Sequence, residues 1–373
     1  MKIPFLDLKE QSKVIEKDVL RSLHDLMQRN DFILGRDLFE FEKEFAGFCE
    51  SKFCVGVNSG TDALFLGLKS LDIGPGDEVI VPAFTYIASA LAVTYTGAKP
   101  VFVDIDQVTY NIDTAKVKER ISRRTKAILP VHLYGHPAEM FDILKLARKY
   151  NLKVIEDAAQ AHGTKYKFPK GNWKIAGSIA DIGCFSFYPT KNLGAFGDGG
   201  AVVVNSRNIY KKLLMLRDYG RKSRYEHVRL GYNSRLDTLQ AAILRAKLKH
   251  LNHWNSLRRK NAWLYSKLLQ EVEGVIIPKQ ADYAKHVYHV YAIRVKNRKQ
   301  LLEEFARRGI SALIHYPIPL HLQKVYEKLG YKKGDFPIAE KVAGQIISLP
   351  MYPHLKFGEI KAICRTIKEN VKK

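Results

Sequence analysis

Cysteine is scarce in this sequence, and its few copies are far apart. The 373 residues contain four cysteines, Cys49, Cys54, Cys184 and Cys364, and their spacing does not match that of a metal site. Scattered cysteines are typical of the reducing cytoplasm, whereas secreted proteins pair them in disulfides. We therefore expect reduced thiols, no metal site and a cytoplasmic protein.

Long apolar runs are also missing. No run reaches the ~18 residues that cross a membrane, and the first ten residues become charged too early for a signal peptide. We therefore expect no membrane partner. Hydrophobic residues still make up 46% of the chain, which is enough for a full core. The length suits two or three domains, or one large domain with a smaller one.

Acidic residues are outnumbered by basic ones, 38 to 61, so the formal net charge is +23. Such a charge occurs in nucleic-acid-binding proteins. The basic residues are nevertheless spread over the whole chain, and no basic tail, RNA-binding motif or zinc finger accompanies them. A basic surface also attracts small anions, such as a nucleotide-linked substrate. We expect no nucleic acid as the main partner.

Short, apolar, β-branched runs alternate with helical patterns between about residues 53 and 204. They predict strands at 53–57, 78–81, 101–104, 127–131, 154–157, 183–187 and 201–204. This alternation is typical of a mainly parallel sheet covered by helices on both faces. Ligands bind such sheets at the carboxyl ends of the strands. Ser59, Asp157 and Ser186 lie at or near those ends.

The remaining chain predicts a helical start and a second, smaller unit. The first ~50 residues have a helical pattern, and a polar stretch at 217–232 precedes a long helix at about 237–271, with a possible break near Asn252. A strand (289–295), a helix (299–308), a strand (311–314) and closing helices follow. We therefore predict a large α/β domain at 1–245 and a small α+β domain at 246–373.

A glycine-rich loop between the last two strands of the alternating region carries Lys191. Four glycines follow the lysine, at positions 194, 197, 199 and 200. Glycines let a backbone approach a bound ligand closely. We expect Lys191 to be held on a rigid scaffold without being packed into it. The alternative is an ordinary surface lysine in a turn.

A second motif lies where the strand at 53–57 ends. The run Asn58-Ser-Gly-Thr-Asp62 leads directly into a helix. A strand that is followed by small polar residues and then by a helix is typical of a phosphate-binding site, because the free N–H groups and the positive end of the helix face the anion. Ordinary N-capping by Ser59 or Thr61 is the alternative.

These pieces suggest pyridoxal phosphate (PLP). Lys191 and Asp157 are 34 residues apart (191 − 157), and both are predicted at strand ends. PLP enzymes need a lysine that binds the cofactor aldehyde covalently and an acid that keeps the pyridine nitrogen protonated. The phosphate needs a nest of amide groups.

Over nearly its whole length the sequence resembles the DegT/DnrJ/EryC1/StrS sugar aminotransferases, which act on nucleotide-linked keto-sugars. The resemblance is carried by Ser59-Gly-Thr-Asp-Ala-Leu64, Gly74-Pro-Gly-Asp-Glu-Val-Ile80, Pro100-Val-Phe-Val-Asp-Ile-Asp106, Val131-His-Leu-Tyr-Gly135, Ile155-Glu-Asp-Ala-Ala-Gln-Ala-His162, the Lys191 loop, Gly231-Tyr-Asn-Ser-Arg-Leu-Asp237 and His315-Tyr-Pro-Ile-Pro-Leu-His321. It implies the PLP-dependent aminotransferase fold of type I, with a seven-stranded sheet, and a homodimer.

The resemblance also implies a role for each matching residue. Lys191 would bind the cofactor and move the proton, and Asp157 would pair with the pyridine nitrogen. The other cofactor contacts would be Tyr86 (stacking on the ring), Gly60, Thr61 and Ser186 (phosphate), Gln160 (ring hydroxyl) and Asn233 (phosphate of the second subunit). Tyr188, His315 and Tyr316 are candidates for sugar or nucleotide contacts, with a structural role as the alternative for each, and Arg235 is a candidate for the glutamate carboxylate. For His162 a structural role is equally open.

The resemblance implies L-glutamate as amino donor. The run Tyr188-Pro-Thr-Lys-Asn-Leu-Gly-Ala195 resembles members that aminate carbon 3 of dTDP-3-keto-6-deoxyhexoses, whereas carbon-4 members more often have histidine before the lysine. Carbon-4 amination and amination of a cyclitol ketone remain alternatives. Members that are dehydratases replace the lysine with histidine, and this chain keeps Lys191. A non-catalytic regulator that binds nucleic acid is the alternative from another class.

Overall fold

The computed structural model describes residues 2–371, and its centre is a seven-stranded sheet. The strands of the chain are β1 (Phe53–Val57), β2 (Glu78–Pro82), β3 (Lys99–Val103), β4 (Thr125–Ile128), β5 (Lys153–Asp157), β6 (Lys165–Lys167), β7 (Trp173–Ile175), β8 (Ile182–Ser186), β9 (Gly200–Val204), β10 (Ala284–Lys285), β11 (Tyr291–Arg294) and β12 (Ile346–Leu349). The central sheet has the order β1-β9-β8-β5-β4-β2-β3. All its neighbours pair in parallel except β9, which is antiparallel to β8 and β1. The predicted mainly parallel sheet is confirmed.

Helices cover this sheet and build the rest of the chain. They are α1 (Lys9–Arg29), α2 (Arg36–Phe48), α3 (Gly60–Ser70), α4 (Ala88–Tyr95), α5 (Thr114–Glu119), α6 (Met140–Tyr150), α7 (Arg207–Leu216), α8 (Thr238–Leu248), α9 (Leu251–Leu269), α10 (Arg298–Arg307), α11 (Pro337–Gln345) and α12 (Phe357–Val371). None of the helices between residues 2 and 371 combines the length and the apolar character that a membrane crossing requires.

The sheet is buried on both faces, which explains why its strands are continuous apolar runs. Alternate residues of a strand point to opposite faces. Val55 and Val57 of β1 thus join the core beneath α3, whereas Cys54 packs with the phenylalanines of α2. All four cysteines are buried and free. The site described below lies at the edge where the parallel strands end.

The C-terminal part has its own core around α9, α10 and α12 and the antiparallel pair β11–β12. The predicted strand at 311–314 is wrong. Leu313 forms a single bridge with Ser348, and the neighbouring Ile310 pairs with Ile3 near the amino terminus. These residues therefore divide their hydrogen bonds between two partners and form no ladder. The partner strand β12 was not predicted.

The long predicted helix is broken at Lys249–His250, between α8 and α9, close to the predicted break. α8 packs against α1 and α2, whereas α9 packs against α12. The predicted boundary at residues 245–246 lies inside α8, four residues before this break. The division into two domains stays a prediction.

Candidate active site

Asp157 and Lys191 meet at the carboxyl ends of two neighbouring strands. Asp157 is the last residue of β5, and Lys191 follows the end of β8, which pairs with β5. They are close enough that the charge of each changes the pKa of the other. The two residues that the sequence singled out are therefore parts of one site.

Asp157 is a buried carboxyl group, only 5% exposed, with two hydrogen-bond donors. The Ser89 hydroxyl donates to Oδ2 at 2.7 Å, and the backbone N–H of Ala159 donates to Oδ1 at 3.1 Å. Burial raises the pKa of Asp157, and both hydrogen bonds and the charge of Lys191 counteract that rise. Such a carboxylate is well placed to hold a cationic N–H group of a ligand.

The Lys191 amine is more enclosed than expected. The residue is half-buried. Removal of its amine from water lowers the pKa of Lys191 to about 8, although the negative charge of Asp157 acts in the opposite direction and raises it. A lower pKa leaves more of the lysine neutral and nucleophilic near neutral pH. This is the form that attacks an aldehyde.

Three histidines, His162, His289 and His315, lie close enough to this amine for its charge to affect their pKa. Burial is the main cause that lowers the pKa of each histidine, and the positive charge of Lys191 is the second cause. The pKa falls to about 3 for His162 and to about 4 for His315, and it lies well below the usual range for His289. All three are therefore neutral at physiological pH. The His162 ring packs between Phe185 and Phe187, which agrees with its structural alternative.

The predicted phosphate motif forms the amino end of α3. Ser59 caps the helix, since its hydroxyl accepts from the Asp62 N–H at 3.1 Å, so the capping alternative is confirmed for Ser59. The N–H groups of Gly60 and Thr61 precede the first helical bond and have no partner within residues 2–371. A Cβ atom built on Gly60 would lie 2.5 Å from the Cβ of Ser186. Gly60 and Ser186 are thus closely packed at the start of α3, in what we call the α3 cradle, and binding of an anion there stays a prediction.

A group of aromatic residues lies near Asp157, whose charge affects the pKa of Tyr316. The Tyr86 ring is 56% exposed and lies 5.8 Å from the Tyr316 ring. The Gln160 amide donates to the Tyr316 hydroxyl at 3.1 Å, and its carbonyl oxygen accepts from the Tyr134 N–H at 2.7 Å. His315 precedes Tyr316, and its backbone carbonyl accepts from the Tyr134 hydroxyl. Tyr86, Gln160, His315 and Tyr316 are therefore brought together.

Tyr188 and Asn233 are exposed, whereas the Arg235 side chain is partly buried. Tyr188 lies on the loop of Lys191, with its side chain exposed. Asn233 and Arg235 line a cavity of about 500 Å³ that also contains Asn58. Arg235 donates to Asp218 at 3.0 Å and lies over the Tyr219 ring. Its contacts are thus within its own loop, and its role toward glutamate stays a prediction.

Sequence reasoning missed Ser89 and His289. Ser89 lies in the apolar run of α4, where a serine among alanines was the one available signal. His289 precedes β11 in the C-terminal part, and no local pattern connects it with Lys191. Both belong to the site only through contacts between distant segments.

These residues fit PLP in three respects. A partly neutral lysine, a buried carboxylate and the α3 cradle match the aldehyde, the pyridine nitrogen and the phosphate of that cofactor.

No group of three or more histidine, cysteine, aspartate or glutamate side chains within residues 2–371 is arranged to hold a metal ion.

Comparisons with known proteins agree with this fit. Residues 13–368 match the model of the DegT/DnrJ/EryC1/StrS aminotransferase family. The chain is 45% identical to a "pleiotropic regulatory protein" of Geobacillus stearothermophilus, over 99% of this chain and 98% of that protein. It is also 45% identical to the dTDP-3-amino-3,6-dideoxy-alpha-D-galactopyranose transaminase of Aneurinibacillus thermoaerophilus, over 98% of both.

A solved structure of similar fold is that of DesV from S. venezuelae in complex with a ketimine intermediate. It superposes with a TM-score of 0.96 at 43% identity and covers 100% of this chain and 99% of that chain. Other solved relatives of this fold contain the cofactor as PMP or PLP.

Proposed function

This chain belongs to the DegT/DnrJ/EryC1/StrS aminotransferase family, and we propose that it moves the amino group of L-glutamate to a keto-sugar nucleotide. It is a PLP-dependent transaminase. The proposed acceptor position is C-3 of a dTDP-3-keto-6-deoxyhexose, in deoxyamino-sugar biosynthesis. The sequence of the Lys191 loop and the activity named for the A. thermoaerophilus relative support this choice.

The proximity of the half-buried Lys191 to the buried Asp157 is the observation that carries the proposal. PLP, when bound, takes up the electrons of the bond broken at the substrate carbon. Asp157 would hold the proton on the pyridine nitrogen, and its donors Ser89 and Ala159 fix the carboxylate for that task. The Lys191 amine would bind the cofactor and then carry the proton at its Nζ atom. Its lowered pKa suits both tasks.

The acceptor sugar is proposed to contact Tyr188, His315 and Tyr316. The Tyr316 oxygen already accepts from Gln160, so its hydroxyl hydrogen is free to donate to a sugar oxygen. Tyr188 offers an exposed aromatic face. The net charge of +23 would attract the nucleotide diphosphate.

We further propose a homodimer in which Asn233 reaches the phosphate in the second subunit's site. Asn233 is exposed beside the cavity, and four large apolar side chains nearby are exposed as well: Phe32, Ile33, Phe196 and Leu239. Exposed apolar patches of this kind are typical of subunit interfaces. Arg235 lines the same cavity, and we propose that it binds the glutamate carboxylate.

An assay with competing acceptors tests the proposal. The PLP-loaded protein is given L-glutamate and either a dTDP-3-keto-6-deoxyhexose, a dTDP-4-keto-6-deoxyhexose or a cyclitol ketone. Mass spectrometry detects replacement of the ketone oxygen by an amino group, and 2-oxoglutarate is measured in parallel. We expect the highest kcat/KM for the 3-keto sugar. Preferential turnover of another ketone would contradict the proposed acceptor but would still agree with a transaminase activity.

A non-catalytic regulator that binds nucleic acid is the second candidate. The name of the G. stearothermophilus relative and the net charge favour it. The combination of a desolvated lysine, a buried acid and the α3 cradle argues for catalysis. Retention of the protein on DNA, measured at increasing salt, separates the two functions. Salt-sensitive binding by a protein that cannot turn over any ketone would favour the regulator.

A further inference from the structure

Asn192, the residue after Lys191, is buried (4% exposed) and uses both ends of its side-chain amide. Its Nδ2 atom donates to the Asn255 Oδ1 atom at 2.8 Å and to the Val287 carbonyl at 3.4 Å. Its Oδ1 atom is 3.1 Å from the Nδ1 atom of His289. The residue next to the lysine is thus fixed from three directions.

Asn255 connects this amide to a second part of the site. It lies on α9, is 1% exposed, and donates from Nδ2 to the His162 carbonyl at 2.8 Å. His162 follows Asp157 by five residues along the chain. The bonds Asn192–Asn255–His162 therefore link the lysine loop with the segment that leaves Asp157, and α9 is the bridge.

The chemistry of the groups fixes the direction of each bond. A carbonyl oxygen of Asn192 only accepts, so Nδ1 of His289 must carry the proton. A reversed Asn192 amide would place its oxygen against two acceptors, Asn255 Oδ1 and the Val287 carbonyl. One orientation alone satisfies every partner. A fully satisfied buried network holds its members in a single arrangement.

We propose that Asn192 is a positioning residue for Lys191, which it holds beside Asp157 through its hydrogen bonds to Asn255 and His289. This inference rests on the proposed role of Lys191. It assigns to α9, a helix of the C-terminal part, a share in placing the reactive amine. None of the motifs that pointed to the site included Asn255 or His289.

The test uses Asn192→Ala, Asn255→Ala and the double variant, with Asn261→Ala as matched control. Asn261 lies on the same helix and is also buried, but it donates to the Tyr352 and Pro353 carbonyls, away from the lysine loop. Two measurements are made on each protein. The first is the rate at which apoprotein attaches PLP covalently, followed by visible absorbance.

The second measurement needs no cofactor. Lys191 of the apoprotein is labelled with an amine-reactive reagent across a pH series, and its peptide is quantified by mass spectrometry. The wild-type midpoint should lie near pH 8. In Asn192→Ala the released loop admits water, so the midpoint should rise toward the ordinary lysine value of 10.5. Asn261→Ala should leave it unchanged.

The expected losses in the rate of PLP attachment show whether Asn192 and Asn255 act through the hydrogen bond that joins them. Each single variant should slow PLP attachment by about tenfold to a hundredfold, and the double variant should be no slower than the slower single one. Multiplying effects, or an Asn261→Ala effect of equal size, would overturn the proposal. An unchanged labelling midpoint in Asn192→Ala would overturn it as well.

Three further variants keep the outcome interpretable. Should an alanine variant fail to fold, Asn192→Ser and Asn255→Ser are measured in its place, and wild-type behaviour of both would count against the proposal. Lys191→Ala separates this inference from the proposed function. Covalent attachment of PLP by that variant would disprove the role of Lys191, whereas the labelling midpoints would still show whether Asn192 positions the amine.

Discussion

Removal of the Ser89 hydroxyl should change the acidity of Asp157. In Ser89→Ala the carboxylate loses a buried hydrogen bond of 2.7 Å and keeps the bond from the Ala159 N–H. A hydrogen bond to a charged group contributes about 1.5–3 kcal/mol, and one pKa unit corresponds to ~1.4 kcal/mol. The pKa of Asp157 should therefore rise by about one to two pH units.

The sign follows from what the hydrogen bond stabilises. Burial already raises the pKa of Asp157, and Ser89 opposes that rise by stabilising the ionised form. Without Ser89, Asp157 takes up a proton at a higher pH. Activity that needs the ionised carboxylate should thus be lost first on the acid side, with little change at alkaline pH.

The assay is the pH dependence of the reaction with L-glutamate alone, followed by the visible absorbance of the bound cofactor. Ser206→Ala is the control, because it also removes a serine hydroxyl near a helix start, where Ser206 accepts from the Ile209 N–H at the beginning of α7, away from Asp157. The acid limb of Ser89→Ala should move up by about one to two pH units, and that of Ser206→Ala should not move. Coinciding acid limbs in all three proteins would refute the reasoning.

Three further predictions follow from the same site. Attachment of PLP to the apoprotein should accelerate about tenfold per pH unit below pH 8 and level off above it, because the pKa of Lys191 is lowered to about 8; a flat stopped-flow profile would contradict this. Gly60→Ala should weaken PLP retention in dialysis, since its Cβ would meet Ser186, whereas Gly47→Ala, with open space at its Cβ, should retain it. Asn233→Ala should lower PLP retention in the same way if the proposed dimer is right; unchanged retention in that variant would remove Asn233 from the site.

Much of the fold could be predicted because its signals are local. Most strands of the central sheet contain short apolar runs rich in β-branched residues, although β8 has only one such residue, Ile182. Burial on both faces favours such runs. The break of the long helix was predicted within a few residues for the same reason. The prediction of a strand at 311–314 was wrong, because the apolar residues there resemble a strand while the hydrogen bonds of Ser311 and Leu313 go to Ile3 and Ser348.

The site residues also differ in whether their signals in the sequence are local or depend on long-range contacts. Asp157 ends β5, Lys191 lies five residues after β8, and the α3 cradle follows β1. β5 and β8 pair in parallel, and β1 runs in the same direction because both β1 and β8 are antiparallel to β9. The carboxyl ends of these strands therefore lie at one edge of the sheet. Ser89, Asn255 and His289 reach the site through long-range contacts. The position of Ser89 among alanines was the one local signal, and no local pattern marks Asn255 or His289. The half-buried state of Lys191 was also missed, since enclosure depends on the segments at 162 and 289.

The most direct test of the account is the visible absorbance spectrum of the purified protein before and after addition of L-glutamate. We predict an absorption band of lysine-bound PLP that shifts to shorter wavelength with glutamate, and no such band in Lys191→Ala. A wild-type protein that stays colourless after reconstitution with PLP would contradict the assigned site and its chemistry.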